Sequence, residues 1–497
     1  MRRGPKSNND KVPAGVFYMV FGTLKFKKRP ELALLALVMI MLAEIFFMSQ
    51  WSERNSLDQK VLRVASPMHE WMRSGLSPYG RGFERDLLDR FADKHGIEWT
   101  WQRTASWEQA WEMLAQGEVD MVPGLGARPP RRFNALVNQS PAYASFKPLI
   151  VRSSKRFGLR RPEEICDTGV LLADNPALMR ALFRTAEPMK GCSPLPVIHS
   201  DYEQEPILQS LQKNRARFGL VDSGRFMLWQ PFYENVRPTK ELDGALDYRW
   251  YWNRESLLAG KLKSFWNNTQ GSDWFANLYE RYFGFLPEET DYYQLNHLAR
   301  IVRTKIGRYS DQVTASAFRN RIDPLLLTAV IYQESHFDPS AKSRTGVRGL
   351  MQITMATAGE LGIDRLDPVQ SIKGGSEYLK QLYDRLEPYN LSRWDRWFFA
   401  LAAYNQGWGH LRDAMKLSKE LGDSGRTWRE LKKALPLLAR AEYYKQAEHG
   451  YARGWEGVDY VDSIRYYYYV LNGLIVLSRP EAENLPALIP SVALSEF

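Results

Sequence analysis

The alternation of apolar and polar positions divides the 497-residue chain into parts of different character. An apolar run covers residues 32–51, and strand-like and helix-like patterns alternate from residue 61 to residue 285. Long helical patterns follow one another from residue 290 to residue 480. We therefore predict a multidomain protein with an N-terminal transmembrane helix, an α/β domain at 61–285 and an all-α domain at 290–480, followed by a tail at 481–497.

The α/β part repeats a strand followed by an amphipathic helix. Strands are predicted at VLRVAS, IEWTWQRT and MVPGLG, and the segments FERDLLDRFADKHG and SWEQAWEMLAQGEVD between them have helical periodicity. The strand pattern returns at KPLIVRS, GVLLA and RFGLVDS. Alternation of this kind predicts a largely parallel sheet covered by helices.

The apolar run LALLALVMIMLAEIFFMSQW follows a basic segment, residues 1–31, and contains Glu44 as its one ionisable side chain. Most of the formal net charge of +10 lies in this basic segment, where Asp10 is the one acidic residue before Pro30. Twenty helical residues rise about 30 Å, enough to cross the hydrocarbon layer, and the basic flank stays cytoplasmic by the positive-inside rule. We predict an uncleaved inner-membrane anchor at 32–51 and a linker at 52–60; the alternative is a long cleaved signal peptide.

Because the positive charge is concentrated beside the apolar run, the composition argues against nucleic-acid binding. Cys166 and Cys192 are the only cysteines. The predicted exported compartment permits a disulfide between them, but the sequence does not give their distance, so their pairing stays open. The sequence contains no metal-binding cluster, phosphate loop or nucleotide fingerprint, and we therefore predict no cofactor and no metal.

The helical part contains a carboxyl group in a setting that suits acid catalysis. Asp323 and Pro324 form an N-cap and first-turn pair, and the apolar helix LLLTAVIYQES that follows places Glu334 in its last turn. Burial there raises the pKa of a carboxylic acid, so that it holds a proton near neutral pH. Most glycosidases use two carboxylates, and Asp338 is the candidate for the second. Its position before Pro339 favours a structural role in a turn.

Further segments follow Glu334 and Ser335 in the order that a known family shows. They are TGVRGLMQIT, AAYNQG at 402–407 and IRYYYYVLNG at 464–473. Together they resemble the transglycosylase domain of the soluble-lytic-transglycosylase superfamily, which has a lysozyme-like α fold. The resemblance implies that Glu334 is the catalytic acid/base. It also implies substrate contacts by Ser335, Met351, Gln352, Tyr404, Asn405 and Tyr467.

A single carboxyl group suffices for cleavage when the substrate supplies the nucleophile. In the reaction that the resemblance implies, the C6 hydroxyl of N-acetylmuramic acid attacks C1 of its own ring and leaves a 1,6-anhydro end. Glu334 first donates a proton to the glycosidic oxygen and then accepts one from the hydroxyl. Two alternatives stay open: a muramidase that uses water, with Asp338 as second carboxylate, and a non-catalytic peptidoglycan-binding receptor.

The α/β part resembles the amino-acid-binding family of periplasmic solute-binding proteins, whose two lobes close around a ligand. RRFNALVNQSPAY at 131–143 and RFGLVDS at 217–223 match its ligand segments. The resemblance implies that Arg132 holds a ligand carboxylate and that Asp222 accepts an amino group, so an amino acid or a muropeptide stem is the expected ligand. The alternative is that both are ordinary surface or ion-pair residues in a fold retained without the ligand.

The two domains behind an apolar segment resemble the membrane-bound lytic transglycosylases of the cell envelope. We therefore expect a periplasmic catalytic part that acts on peptidoglycan glycan strands. The predicted anchor indicates the inner membrane, whereas the resembling family is associated with the outer membrane. We also expect that closure of the lobes on a ligand alters access to the glycan groove.

Overall fold

The computed structural model describes residues 60–477, except residues 74, 127, 159, 160, 162, 174, 190, 192, 195, 200–203 and 289. The predicted basic segment at 1–31, the anchor at 32–51, nearly all of the linker at 52–60 and the tail at 481–497 lie outside the described residues. Among the helices that are described, none is both long enough and apolar enough to cross a membrane.

The first half of the described chain forms two α/β lobes, each built on its own sheet. The strands are β1 Val61–Ser66, β2 Glu98–Arg103, β3 Met121–Leu125, β4 Val137–Gln139, β5 Ala144–Phe146, β6 Pro148–Ser153, β7 Val170–Ala173, β8 Pro196–His199, β9 Phe218–Asp222, β10 Val236–Glu241 and β11 Leu246–Asn253. Lobe 1 has the strand order β2-β1-β3-β11-β4, with β5 also paired to β11, and lobe 2 has the order β10-β6-β9-β7-β8.

Both sheets are mixed, which corrects the prediction of a largely parallel sheet. The pairs β1–β3, β7–β8 and β7–β9 are parallel, whereas β11 runs antiparallel to β3, β4 and β5, and β6 runs antiparallel to β9 and β10. The chain leaves lobe 1 from β5 through Lys147 and returns from β10 to β11 through residues 242–245. Because β5 and β11 are joined to the other lobe at the same hinge, they run in opposite directions, and the same holds for β6 and β10.

Helices cover both sheets, and the two that the sequence predicts between the first strands are present. The helices of the lobes are α1 Phe83–His95, α2 Trp107–Gln116, α3 Glu164–Asp167, α4 Pro176–Ala186, α5 Glu205–Gln212, α6 Ser223–Trp229, α7 Ala259–Thr269 and α8 Asp273–Phe283. The first two end where Gly96 and Gly117 adopt left-handed backbone conformations, with φ of 62° and 75°.

The second half of the described chain is mainly helical, as the sequence predicts. Its helices are α9 Tyr292–Ile301, α10 Gly307–Asn320, α11 Pro324–Ser335, α12 Met355–Leu361, α13 Pro368–Arg385, α14 Arg393–Gln406, α15 Trp408–Glu420, α16 Trp428–Ala434, α17 Ala441–Tyr444 and α18 Gly454–Leu477. A π-helical turn, Val302–Ile306, joins α9 to α10. The stretch that reads as one helix across residues 395–417 is divided by Gly407, whose φ of 90° and ψ of 151° interrupt it.

Helix α11 is apolar on nearly all sides. Its start is fixed by Asp323, whose carboxylate accepts hydrogen bonds from the backbone N–H groups of Leu325 at 2.8 Å and Leu326 at 3.3 Å. Pro324 occupies the first turn, as the sequence predicts. The helix ends at Ser335, because the next residue, His336, adopts a left-handed conformation with φ of 49°.

Helix α18 joins the helical half to both lobes. The Arg465 side chain donates hydrogen bonds to Oε1 of Glu280 at 2.9 Å and to the backbone carbonyl of the same residue at 2.6 Å. The Tyr79 hydroxyl of lobe 1 donates to the backbone carbonyl of Arg465 at 2.6 Å. One turn later, the Tyr469 hydroxyl donates to the backbone carbonyl of Leu228 in lobe 2 at 2.8 Å. One helix therefore contacts both lobes.

Candidate functional site

Glu334 lies in the last turn of α11, next to a tyrosine from another helix. Its Oε1 accepts a hydrogen bond of 2.5 Å from the hydroxyl of Tyr460, in the second turn of α18. Burial raises the pKa of Glu334 to about 8, and the Tyr460 hydrogen bond opposes this rise. The carboxyl group is therefore mainly protonated at neutral pH, as a general acid for a glycosidic oxygen must be.

Tyr404, near the end of α14, lies beside the same carboxyl group. Burial raises the pKa of Tyr404 well above its ordinary value, and the charge of Glu334 raises it further. The same two causes raise the pKa of Tyr460. The Tyr404 hydroxyl donates to the backbone carbonyl of Met351 at 2.8 Å. Both tyrosines stay neutral and serve as hydrogen-bond donors in the site.

The C-terminal end of α14 brings Asn405 next to Tyr404. Asn405 is exposed, and its side-chain oxygen accepts a hydrogen bond from Nε2 of Gln406 at 2.6 Å. Gly457 of α18 lies against Gln406, so closely that a Cβ at Gly457 would be 2.7 Å from the Gln406 Cγ. This close packing of α18 on the end of α14 holds Tyr460, one turn later, against Glu334.

Ser335 and Met351 position the site from within the core. The Ser335 hydroxyl donates to the backbone carbonyl of Leu350 at 2.9 Å and so ties the end of α11 to the following loop. The Met351 side chain is fully buried, and a Cβ at Gly375 of α13 would lie 2.5 Å from its Cβ. Met351 therefore meets the site through its backbone carbonyl, which accepts from Tyr404, and its side chain does not line an open groove.

Gly349 and Gln352 give the loop its sharp turns. Gly349 has φ of 80°, and a Cβ there would lie 2.0 Å from the backbone oxygen of Arg365, so no side chain fits. Gln352 also has a positive φ, 46°. Its Nε2 donates to the carbonyls of Ala341 at 3.0 Å and Gly349 at 2.8 Å. The amide nitrogen of Gln352 is thus used to hold the loop, which leaves its side-chain oxygen as the group that could face a ligand.

Tyr467 does not take the place that the resemblance implies for a late tyrosine. Its hydroxyl donates to Oε1 of Gln294 at 3.3 Å, and its ring packs edge-on against Tyr332 with centroids 4.7 Å apart. The tyrosine on the Glu334 carboxyl group is Tyr460, which the sequence analysis missed. The signal available in the sequence is the spacing, since residues seven apart lie on the same side of a helix.

Asp338 lies beyond the end of α11, in a turn. Its Oδ1 accepts hydrogen bonds from the backbone N–H of Ser340 at 2.9 Å and from the hydroxyl of the same residue at 2.7 Å, which lower the pKa of Asp338. The pKa of Glu334, by contrast, is shifted by burial and by Tyr460 and by no carboxylate among the described residues. This geometry supports the structural role that the sequence favours for Asp338.

Asp222 ends β9 in lobe 2 and caps α6. Its Oδ1 accepts from the backbone N–H groups of Gly224 at 2.8 Å and Arg225 at 3.2 Å, and its Oδ2 accepts from the Tyr248 hydroxyl at 2.7 Å. Burial raises the pKa of Asp222 to about 6, against the opposing effect of the Tyr248 hydrogen bond. Both oxygens already have protein donors, with which a ligand's amino group would compete.

Arg132 is exposed and is bound to carboxylates of helix α2. Its guanidinium pairs with Glu108 and with Glu112, the latter at 3.3 Å, and stacks on the Phe133 ring with 4.7 Å to the centroid. Among the contacts of the described residues, none joins Arg132 to Asp222. Each of the two side chains that the resemblance assigns to one ligand therefore has local partners of its own.

A buried ion pair joins the two lobes. Glu70 of lobe 1 accepts hydrogen bonds from the Arg225 guanidinium of lobe 2 at 2.7 and 3.0 Å and from the Trp229 indole N–H. The side chains of Arg225 and Glu70 are 5% and 3% exposed. The hollow beside them holds about 10 Å³, no more than one water molecule requires. The cleft is thus closed at this point by an ion pair between two of the protein's own side chains. These residues are 155 positions apart, and no local sequence pattern connects them.

Asp413, Glu448 and His449 form a group that could hold a metal ion, with ligand atoms within 4.8 Å of one another. Their contacts are explained without one, because Asp413 accepts from the backbone N–H groups of Glu448 at 3.2 Å and His449 at 2.9 Å, and Glu448 pairs with Arg412 at 3.4 Å. We assign no metal to this group. Elsewhere, Cys166 is disulfide-bonded, and Cys192 lies outside the described residues.

Two families match separate parts of the chain. The Transglycosylase SLT domain matches residues 312–426, which include Glu334, Gln352 and Tyr404. Tyr460 lies beyond this match. The bacterial extracellular solute-binding proteins of family 3 match residues 74–285. Among solved structures, an ancestral arginine-binding protein bound to arginine aligns with 45% of this chain and 99% of its own, at 17% identity and a TM-score of 0.37.

Curated relatives combine both parts. The membrane-bound lytic murein transglycosylase F of Shewanella loihica is 33% identical over 396 residues, which cover 78% of this chain and 80% of the relative. The protein of the same name from Photobacterium profundum is 32% identical over 462 residues, 89% of this chain and 86% of the relative. Similarity of this extent confirms the predicted family and enzyme class: the chain belongs to the membrane-bound lytic murein transglycosylase F family of lytic transglycosylases.

Proposed function

We propose that the chain cleaves the β-1,4 bond between N-acetylmuramic acid and N-acetylglucosamine in peptidoglycan and leaves 1,6-anhydro ends, with Glu334 as its one acid/base residue. The observation that carries the proposal is the Glu334 carboxyl group itself. Burial raises its pKa to about 8, it lies against Tyr460 and Tyr404, and no second carboxylate acts on it among the described residues.

The reaction needs one proton to be given and one to be returned. Glu334 donates its proton to the glycosidic oxygen as the bond from C1 to that oxygen breaks, and the N-acetylglucosamine side leaves as an alcohol. The C6 hydroxyl oxygen of the muramic acid forms the new bond to C1, and its proton passes to the Glu334 carboxylate. The enzyme is returned to its protonated form and no water is consumed. Tyr460 stabilises the carboxylate between the two steps by its hydrogen bond.

The other residues of the site have supporting roles in this proposal. Ser335 and Met351 fix the loop after α11 through backbone carbonyls, so they position the site from the core. Gln352 offers its side-chain oxygen to the glycan, and the exposed Asn405 offers its amide next to Tyr404. Tyr467 supports α18 through Gln294 and Tyr332 rather than by contact with the scissile bond.

Mass spectrometry of murein digested by the purified protein tests the proposal. Anhydro ends in stoichiometric amounts are expected. Reducing ends would identify a muramidase that uses water, and an absence of released fragments would identify a non-catalytic receptor.

Replacing Asp338 by Asn is expected to change the initial rate of murein cleavage less than about threefold, because the amide retains an acceptor oxygen for Ser340. Initial rates at pH 6.5, compared with wild type, check this. A hundredfold loss in a protein of unchanged melting temperature would instead make Asp338 a second catalytic carboxylate.

Replacing Tyr460 by Phe is expected to move the alkaline limb of kcat/KM to higher pH. Wild-type activity should fall as Glu334 loses its proton near pH 8, and the variant lacks the hydrogen bond that lowers the pKa of this group. Tyr467→Phe is the matched control, since Tyr467 lies on the same side of α18 as Tyr460 but its hydroxyl binds Gln294 of α9, and the alkaline limb of this variant should stay in place. An unmoved limb in Tyr460→Phe would contradict the assignment.

We further propose that the two domains occupy residues 61–285 and 290–480, because α8 ends at Phe283 and α9 begins at Tyr292. The anchor that we predict at 32–51 would place both domains in the periplasm. The basic flank favours the inner membrane, and fractionation of cells that carry the full chain separates this from the outer-membrane alternative.

An amino acid or a muropeptide stem is the proposed ligand of the interlobe cleft, with Asp222 as the acceptor of its amino group. Its entry requires the Glu70–Arg225 pair to separate, because these side chains fill the cleft. Arg132 could take the ligand carboxylate only after it leaves Glu108 and Glu112. Any effect of this ligand on the glycan groove would then pass through the contacts of α18 with both lobes.

A further inference from the structure

Lobe 1 contains a hollow of about 980 Å³ that shares no residue with the closed interlobe cleft. It is formed by the segment after β3, by β4 and the residues after it, by β11 and the residue after it, and by α7. Its volume is within the range of sites that take ligands of several hundred daltons. The hollow at the Glu70–Arg225 pair, by comparison, holds about 10 Å³.

The charged side chains that line this hollow are all basic: Arg128, Arg249, Arg254 and Lys263. Asp247 pairs with the first two, at 3.5 Å and 3.1 Å. Arg254 and Lys263 are exposed and have no carboxylate partner among the described residues. The hollow therefore has a surplus of positive charge that none of the lining side chains neutralises.

Further donors strengthen this character. Ala259 and Gly260 present the first turn of α7, which no side chain caps and where the helix dipole favours anions. An anionic ligand fits such a site, because guanidinium groups bind carboxylates in a bidentate manner and the N–H groups at a helix start attract negative charge.

We propose that this hollow binds the carboxylate-bearing stem peptides of murein and so gives the enzyme a second attachment to its substrate, outside the catalytic groove and outside the interlobe cleft. The side-chain amides of Asn138, Gln139 and Asn267 in the lining suit peptide groups, and the spread of four basic residues suits several separate carboxylates. The proposal rests on murein as the substrate, but it concerns binding and is read out without cleavage.

A second attachment raises the local concentration of glycan at the catalytic site. When one stem peptide occupies the hollow, the next encounter of a strand with Glu334 becomes intramolecular, and residence on murein lengthens without any new contact in the active site. Short soluble substrates that cannot reach both places gain nothing from it. The hollow is thus expected to affect retention on murein and not the chemical step.

The test compares binding of the full-length protein in detergent to immobilised glycan strands with stem peptides and to strands from which an amidase has removed them. Glu334→Gln is used as the background so that the strands stay intact. We expect about tenfold tighter binding to the strands that carry peptides. Arg254→Gln together with Lys263→Gln should lower this affinity to that for the bare strands, and binding should weaken with salt.

Lys261→Gln, on the same helix but outside the lining, is the matched control and should bind as the background protein does. Equal binding to both kinds of strand, or unchanged binding of the double variant, overturns the proposal. Loss of peptide binding in Asp222→Ala with full retention in the double variant would place the peptide in the interlobe cleft instead. Displacement by inorganic phosphate at the same concentration as by a stem tetrapeptide would make the hollow a general anion site and also overturn it.

Discussion

Glutamine at position 334 is expected to lower the release of anhydro-muropeptides by at least about a thousandfold, because it removes the one group that both donates and accepts a proton in the proposed reaction. Tyr460, Tyr404 and the loop after α11 keep their positions, since the amide is nearly the same size as the carboxyl group. Quantitative chromatography of products from purified murein measures the effect. Release within tenfold of wild type would remove Glu334 from the mechanism.

The same variant carries its own check that the protein is folded. An acid whose pKa is about 8 in the folded protein and near 4.5 when unfolded makes the unfolded state bind fewer protons between these values. The free energy of unfolding of wild type therefore falls as pH rises through this window. Glutamine does not titrate, so Glu334→Gln should be more stable than wild type, with a difference that grows from pH 5 to pH 8.

Replacing Arg225 by Met is expected to reduce the free energy of unfolding by about 3 to 5 kcal/mol at neutral pH, because Glu70 then remains as a buried charge with the Trp229 indole as its remaining donor from lobe 2. Urea unfolding followed by tryptophan fluorescence gives the loss. Replacing Glu70 by Leu in the same protein should restore most of it, since no unpaired charge is left.

The control for this experiment is the exposed ion pair Arg81–Asp89, whose two residues are 3.3 Å apart and both belong to lobe 1. Arg81→Gln should cost less than about 1 kcal/mol, because water screens an exposed ion pair. If Arg225→Met is no worse than Arg81→Gln, the cleft is more hydrated than its closed geometry indicates. A double variant as unstable as Arg225→Met would show that packing, not charge, holds the lobes together.

Local chemistry could be predicted from the sequence where short-range signals are strong. Asp323 and Pro324 determine where α11 begins, and its apolar length determines that Glu334 lies in the last turn, so the candidate acid could be found without coordinates. The strand VLRVAS and the helices after it could also be predicted, because their hydrophobic periods of two and 3.6 residues are unbroken.

Contacts and strand directions that depend on residues far apart in the sequence could not be predicted in this way. Tyr460 and Tyr467 lie on one side of α18, about two turns apart. Which of the two contacts Glu334 depends on where along its length α18 packs against α11, and in the structure it is Tyr460. β6 and β11 are antiparallel to their neighbours because the chain crosses between the two lobes twice. These crossings produce no local sequence pattern. Met351 lies in a motif that the resemblance assigns to the groove, yet its side chain packs in the core, where the lack of a Cβ at Gly375 leaves room for it.

Because helix α18 contacts both lobes, it limits which truncations and which domain recombinations of this protein can fold. Its residues Arg465 and Tyr469 have their partners in the lobes, at Glu280 and Leu228. A catalytic half excised after residue 290 would expose the Tyr469 side chain and leave the Arg465 guanidinium with Asp462 of its own helix but without Glu280. We therefore expect chimeras between relatives to fold best when the lobe surfaces and α18 come from the same parent.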